Sequence, residues 1–403
     1  MKYFDFIGKD NSDRSGRKFR LFLVAILLLT SFSVGIVAGR SSNTPLPPED
    51  ADLSRFWETW YALEKRYVDK EKINHEKMIY GAIAGMVSAV GDPYTSFFDP
   101  NETKKFMEDT SGSFQGVGME IGIKQGQLQV ITPLENSPAK KAGIRAGDFI
   151  VKIDGKTASN MTTDEAVDII RGEKGTKVVL TMYREEWKET KDFEITRAVI
   201  EVPSLKWELR EGDIAYIQLY QFTEKASSDF KKAAFEIINS PAKRIVIDVR
   251  NNPGGYLSVA QDISGWFLKK GDVVTHEDSG DGRDKIDYLS EGPSLLSKYP
   301  TVVLINEGSA SASEILAGAL RDNRQVQLVG EKSFGKGSVQ QLVPFDDGSS
   351  LKVTIALWLT PKGSQISEKG LEPDVEIKNT IEDEENKKDP QLDKAIEIVK
   401  GLR

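Results

Sequence analysis

The sequence contains no cysteine, and of its 403 residues only His75 and His276 are histidines. Without a thiol there is no disulfide framework, no thiolate nucleophile and no cysteine-ligated zinc or iron–sulfur centre. Two isolated histidines leave little for a histidine-rich metal site or an imidazole proton relay, so neither a metal nor a cofactor is expected. An excess of positive charge is missing too: 54 Lys and Arg stand against 62 Asp and Glu, a formal net charge of -8. That balance argues against a nucleic-acid partner. Any catalysis must therefore run on Ser, Thr, Lys, Asp, Glu or Tyr.

One long apolar run is present. Residues 21–39 (LFLVAILLLTSFSVGIVAG) are 19 positions without a charge between Arg20 and Arg40. At about 1.5 Å per residue they span roughly 28 Å, close to the hydrocarbon thickness of a bilayer. Lys2, Lys9, Arg14, Arg17, Lys18 and Arg20 precede the run. The positive-inside rule then leaves residues 1–20 as a cytoplasmic tail and sends the rest across the membrane. The expectation is a single-pass, extracytoplasmic protein anchored through 21–39, or a secreted one where that segment is a cleaved signal.

Residues 40–50 form a Pro-rich linker (SSNTPLPPED at its centre), followed by a helical region over 51–111. Leu53, Phe56, Trp57, Trp60, Leu63 and Tyr67 recur at helical spacing, and a second such pattern covers 78–86. The prolines of DPYTSFFDP, 92–100, are read as stopping that helix. Over 112–200 short strands and turns take over, with helices near 138 and 162–171. From 201 to 378 strands and helices alternate, the pattern of an α/β layer fold. A polar excursion over 271–300 interrupts it, and residues 379–403 supply a charged linker and a terminal helix.

Three segments concentrate residues suited to chemistry. RNNPGG, 250–255, follows a buried strand and precedes a helix, a place where free amides can bind an oxyanion. GSASASEILAGAL, 308–320, places Ser311 and Glu314 at capping-box spacing, so Ser311 either caps a helix or acts as a nucleophile beside the next amide. Ser309 and Ser313 are its rivals. GEKSFGKGSVQQ, 330–341, imitates a phosphate-binding loop, but Gly337 replaces the required hydroxyl and a strand pattern follows where a helix should open.

The stretch over 113–201 resembles a PDZ domain, through GVGMEI and SPAKKAGIRAGDFIVKIDG. That resemblance implies that a substrate's C-terminal tail adds as a strand beside Gly116, Val117, Gly118 and Met119. The chain from 53 to 402 resembles the carboxyl-terminal processing, or tail-specific, proteases, through DPYTSFF, the inserted PDZ domain, DVRNNPGG, GSASASEI and GKGSVQ in this order. The family implies a mixed α/β core of the crotonase-like type and a serine endopeptidase with a Ser/Lys dyad. Its nucleophile falls on Ser311, its general base on Lys336 and the lysine-orienting glutamine on Gln340. Its oxyanion amides fall on Ala312 and on Gly254 or Gly255. It further implies protein substrates with apolar tails, homodimerisation through the flanking helices and an activating or adaptor partner. Arg171, at the end of the PDZ helix, either couples the two domains or is a plain exposed charge. The alternative function is a membrane-anchored PDZ scaffold with a silent α/β body.

Overall fold

The computed structural model describes residues 51–402, apart from positions 125, 212, 281, 283, 381, 384, 385 and 387. The expected tail, apolar run and linker over 1–50 lie outside the described residues. Among the described residues no helix is long and apolar enough to cross a membrane. The chain divides into two compact units at His75.

In the first unit, α1 (Ser54–Arg66) carries the expected aromatic stripe, with Trp57 and Trp60 ring centroids 6.0 Å apart. His75 Nε2 lies 2.9 Å from the Glu64 carboxylate.

The second unit follows with α2 (His75–Ser88), β1 (Ser96–Phe98) and α3 (Pro100–Ser111). Helix α2 stops before DPYTSFFDP, as expected, but the second proline of that segment starts a further helix not expected from the sequence. Asp99 accepts from the amides of Asn101 and Glu102 at 2.8 and 2.9 Å, and Glu102 reaches back to the Asp99 amide at 2.9 Å. With Pro100 in the first turn, this is a complete capping box on α3.

The PDZ segment comprises β2 (Ser113–Gly116), β3 (Met119–Lys124), β4 (Gln127–Pro133), α4 (Pro138–Lys141), β5 (Phe149–Ile153), β6 (Lys156–Thr157), α5 (Thr163–Ile170), β7 (Lys177–Tyr183), β8 (Lys191–Thr196) and β9 (Ala198–Glu201). Strands β3, β4, β5, β7 and β8 make one sheet in that order, while β2 pairs with β9. Val130, Ile153, Val178, Leu180 and Met182 give the segment an apolar core of its own.

The remaining chain runs β10 (Leu205–Arg210), β11 (Ile214–Leu219), α6 (Ala226–Ile238), β12 (Arg244–Asp248), α7 (Leu257–Gly265), β13 (Val273–Asp278), β14 (Ile286–Leu289), β15 (Thr301–Ile305), α8 (Ala312–Arg324), β16 (Gln327–Gly330), β17 (Ser338–Pro344), β18 (Ser350–Leu359), β19 (Val375–Glu376) and α9 (Pro390–Gly401). One sheet has the order β10-β11-β12-β15-β16-β19, parallel from β11 onward. Helices cover both faces, which is why its strands read as apolar throughout. Alternation assigns the faces: Ile245, Ile247 and Val303 join the core with α6, α7 and α8. Val246, Val302 and Leu304 meet Leu392, Ala395 and Val399 of α9. A second sheet has the order β1-β18-β13-β14, with β17 on β18. The expected excursion over 271–300 is thus largely a hairpin, β13 with β14, built into this sheet.

Candidate active site

Two turns that leave the parallel sheet meet at the start of α8. After β15 the chain reaches Ser311 with φ 54° and ψ -114°, a conformation that costs a residue bearing a Cβ about 1–3 kcal/mol. Such a sharp turn into a helix lifts a serine clear of the sheet. Its amide donates to Glu314 Oε2 at 2.8 Å. The two rival serines are buried and committed: Ser309 Oγ donates to the Val249 carbonyl at 2.7 Å, and Ser313 Oγ to the Asn252 carbonyl at 3.0 Å. Of the three, Ser311 lines the cavity described below.

The turn after β12 lies against Ser311. A Cβ on Gly254 would come within 2.8 Å of the Ser311 Cβ and 3.0 Å of the Ala312 nitrogen, so only glycine allows this approach. A Cβ on Gly255 would lie 2.2 Å from the Phe222 carbonyl oxygen. Asn252 fixes the turn from beneath: its Oδ1 accepts the Gly254 amide at 2.9 Å and its Nδ2 donates to the Leu219 carbonyl at 2.7 Å. Among the described residues the amides of Gly255 and Ala312 have no hydrogen-bond partner.

Lys336 comes from the loop between β16 and β17. Gly337 is pressed against Ser367, whose nitrogen would be 2.1 Å from any Cβ there, so the loop bends sharply beside the lysine. A strand follows it, as the sequence indicates, and this is not the geometry of a phosphate-binding loop. Burial pushes the Lys336 ammonium below the ordinary lysine range, and the Glu314 carboxylate opposes that shift. Its Nζ sits 5.6 Å from the ring centroid of Tyr94. No hydrogen bond joins Lys336 to Ser311 or to Gln340 among the described residues; Gln340 Nε2 donates to Ser338 Oγ at 2.6 Å.

Sequence reasoning used Glu314 only as a capping partner. In the structure it joins the two turns: it accepts from the Ser311 amide, from Ser333 Oγ at 2.6 Å, and from the amides of Gly335 and Lys336 at 2.8 and 3.0 Å. Burial pushes this carboxyl up and its four hydrogen bonds pull it down, with burial the larger influence.

Ser311, Lys336 and Gln340 open into one cavity of about 880 Å³, bounded also by Gly254, Gly255 and Tyr256. Phe106, Met107 and Thr110 of α3 form part of its wall, as do Glu277, Tyr288 and Lys352. Burial and the hydrogen bond to Glu277 push the Tyr288 hydroxyl up to about 12. A separate, smaller groove of about 70 Å³ lies in the PDZ segment, lined by Phe114, Gly116, Val117, Gly118, Met119 and Arg171 among others. Arg171 is no plain exposed charge. It donates to Asp109 at 2.9 Å, lies 3.6 Å from Glu108 and stacks 4.6 Å from the Phe114 ring centroid, tying the groove to α3. His276 pairs with Asp287 at 2.6 Å and lies outside the cavity wall.

A PDZ segment joined to an α/β core, with a strained serine and a buried lysine in one cleft, defines a class of serine peptidase. The family follows from likeness to known proteins. The profile of Peptidase family S41 matches residues 213–377, that of the PDZ domain residues 129–184, and that of the activating protease CtpB N-terminal domain residues 37–103. The carboxy-terminal-processing protease of Bartonella bacilliformis is 38% identical over 375 residues, covering 91% of this chain and 83% of that protein. The carboxy-terminal processing protease CtpB of Bacillus subtilis is 37% identical over 334 residues, covering 82% and 68%. A solved S41 protease from Bacteroides fragilis shares the fold at TM-score 0.53 and 15% identity, across 89% of this chain and all of that one. The chain belongs to the carboxy-terminal processing proteases and is a serine peptidase.

Proposed function

We propose that Ser311 is the nucleophile and Lys336 the general base of an endopeptidase that selects proteins by their C-terminal tails. The observation that carries this reading is the convergence in one cavity of a strained serine, the unpartnered Gly255 amide and a desolvated lysine, with the unpartnered Ala312 amide following the serine in the chain. Neutral Lys336 takes the Ser311 proton as the hydroxyl attacks the scissile carbonyl, then returns it to the leaving amine. The Ala312 and Gly255 amides hold the oxyanion; the Gly254 amide is already taken by Asn252, which favours Gly255 as the second donor. Water then resolves the acyl-enzyme. Engagement requires the lysine to leave Tyr94 for Ser311, with Gln340 exchanging Ser338 for the lysine.

The PDZ groove at Gly116–Met119 takes an apolar tail as an added strand. In this reading the apolar run over 21–39 anchors the protein with its catalytic part outside the cytoplasm, and the flanking helices support a homodimer with an activating or adaptor partner. A fluorophosphonate probe, which phosphonylates activated serines, tests the nucleophile. Peptide mass mapping is expected to find the adduct on Ser311, at a rate at least about tenfold lower in Lys336→Ala. An adduct elsewhere, or an unchanged rate in Lys336→Ala, contradicts the assignment.

A further inference from the structure

We propose that Lys352 forms a carboxylate-binding subsite in the cleft, selecting an acidic side chain near the scissile bond. The inference rests on the reading of this cavity as the substrate cleft. Lys352 lies on β18 opposite Leu342 of β17 and lines the same cavity as Ser311 and Lys336. Its ammonium lies beside two aromatic rings, 5.2 Å from the Phe98 centroid and 5.7 Å from the Phe106 centroid. Those rings stack on each other at 5.3 Å, so the charge sits at one side of the pair.

Among the described residues the Lys352 ammonium has no ion pair and no hydrogen bond. Asp92 attracts the ammonium through space without a hydrogen bond to it, and the acids nearby have hydrogen-bond donors of their own. Glu277 accepts from the Tyr288 hydroxyl at 2.7 Å, and Asp92 accepts from the Tyr94 amide at 3.0 Å and from Thr95 Oγ1 at 2.6 Å. A carboxylate would supply strong acceptors to the donors of this partly buried ammonium. Burial and the neighbouring Lys336 charge hold its pKa below the ordinary lysine value, against the opposing attraction of Asp92. An incoming carboxylate satisfies the donors in a partly desolvated, pre-oriented site, where little ordering cost remains.

The test uses the full chain in detergent micelles and peptides of one apolar frame. A single Glu is walked through the positions flanking the cut, with Gln at the same place as control. At one position the ratio of kcat/KM for acid over neutral is expected to reach about tenfold. The ratio is expected to fall to about one in Lys352→Met and to invert in Lys352→Glu, which then favours Lys-bearing peptides. The proposal is overturned if wild type shows no ratio above about twofold at any position, or if the ratio survives Lys352→Met. Wild type cleaving no better than Ser311→Ala defeats the protease reading instead. In that event the same peptides are bound to Ser311→Ala and followed by fluorescence anisotropy. An acid-to-neutral affinity ratio near tenfold, lost with Lys352→Met, then supports the subsite, and a ratio near one overturns it.

Discussion

Four donors converge on the Glu314 carboxylate: the amides of Ser311, Gly335 and Lys336 and the hydroxyl of Ser333. Residues 25 positions apart in sequence are thereby held in one register. Glu314→Ala leaves these donors without an acceptor and is expected to lower stability by about 3–5 kcal/mol, read as a fall in the urea midpoint. Glu314→Gln keeps the shape but faces its amide hydrogens toward donors, so kcat should drop at least about tenfold, the scale set by unsatisfied buried groups. The pH profile adds a second readout. In the proposed mechanism activity needs neutral Lys336, so kcat/KM should rise with pH through a pKa that burial places below the usual value of about 10.4. Removing the Glu314 charge disfavours the ammonium further, so the rising limb in Glu314→Gln should move to lower pH. A limb at its ordinary position in both proteins contradicts this electrostatic account. The turns that carry Ser311 and Lys336 were legible in the sequence, since glycines and a capping box mark them, while the roles proposed for the two residues come from the family resemblance. The reach of Glu314 across the loop was not, because a local spacing says nothing of donors that arrive from 333–336.

At the scale of elements, α3 does two jobs. One side carries Phe106, Met107 and Thr110 to the cleft wall, while Glu108 and Asp109 hold Arg171 of the PDZ segment. Arg171→Ala is expected to lower the advantage of apolar-tailed over untailed substrates, measured as a kcat/KM ratio, from its wild-type value to about one. An unchanged ratio removes Arg171 from tail recognition. The helix was hidden in the sequence because Asp-Pro reads first as a stop, although Asp99, Pro100 and Glu102 together spell a start. The α9 helix is tied to the turn after β12 by Arg250, which donates to Asp248 and Asp389 at 2.7 Å each and to Gln391 at 2.9 Å. Burial alone would raise the Asp389 carboxyl, but the hydrogen bonds and charge of Arg250 outweigh it and hold the pKa below the ordinary value. A depressed carboxyl contributes stability above its unfolded pKa that is lost as pH falls through the folded one. Amide protection factors over Pro390–Gly401 should therefore fall below about pH 4, and already at neutral pH in Asp389→Asn. Protection factors over this helix that are equal at about pH 7 and about pH 3 contradict the tie.

Over the whole molecule, the alternation of apolar strands with amphipathic helices made the α/β core readable, and buried runs such as TVVLI are what a sheet covered on both faces requires. The PDZ segment was readable through its glycine and Ser-Pro-Ala turns. The second sheet was not, because its strands pair across large separations, β1 with β18 and β13 with β18, and no local pattern reports such pairing. That sheet brings Lys352 and Glu277 to the cleft, so the wall facing Ser311 emerges only in three dimensions. Cleavage by this molecule is held to depend on Ser311 and Lys336 acting as one unit. Incubating full-length protein with an unstructured substrate that ends in an apolar tail, and quantifying the fragments by mass spectrometry, tests that dependence most directly. Ser311→Ala and Lys336→Ala should each lose about 10³-fold or more of wild-type activity, and the double variant no more than either alone. Comparable fragment yields from wild type and Ser311→Ala would contradict it.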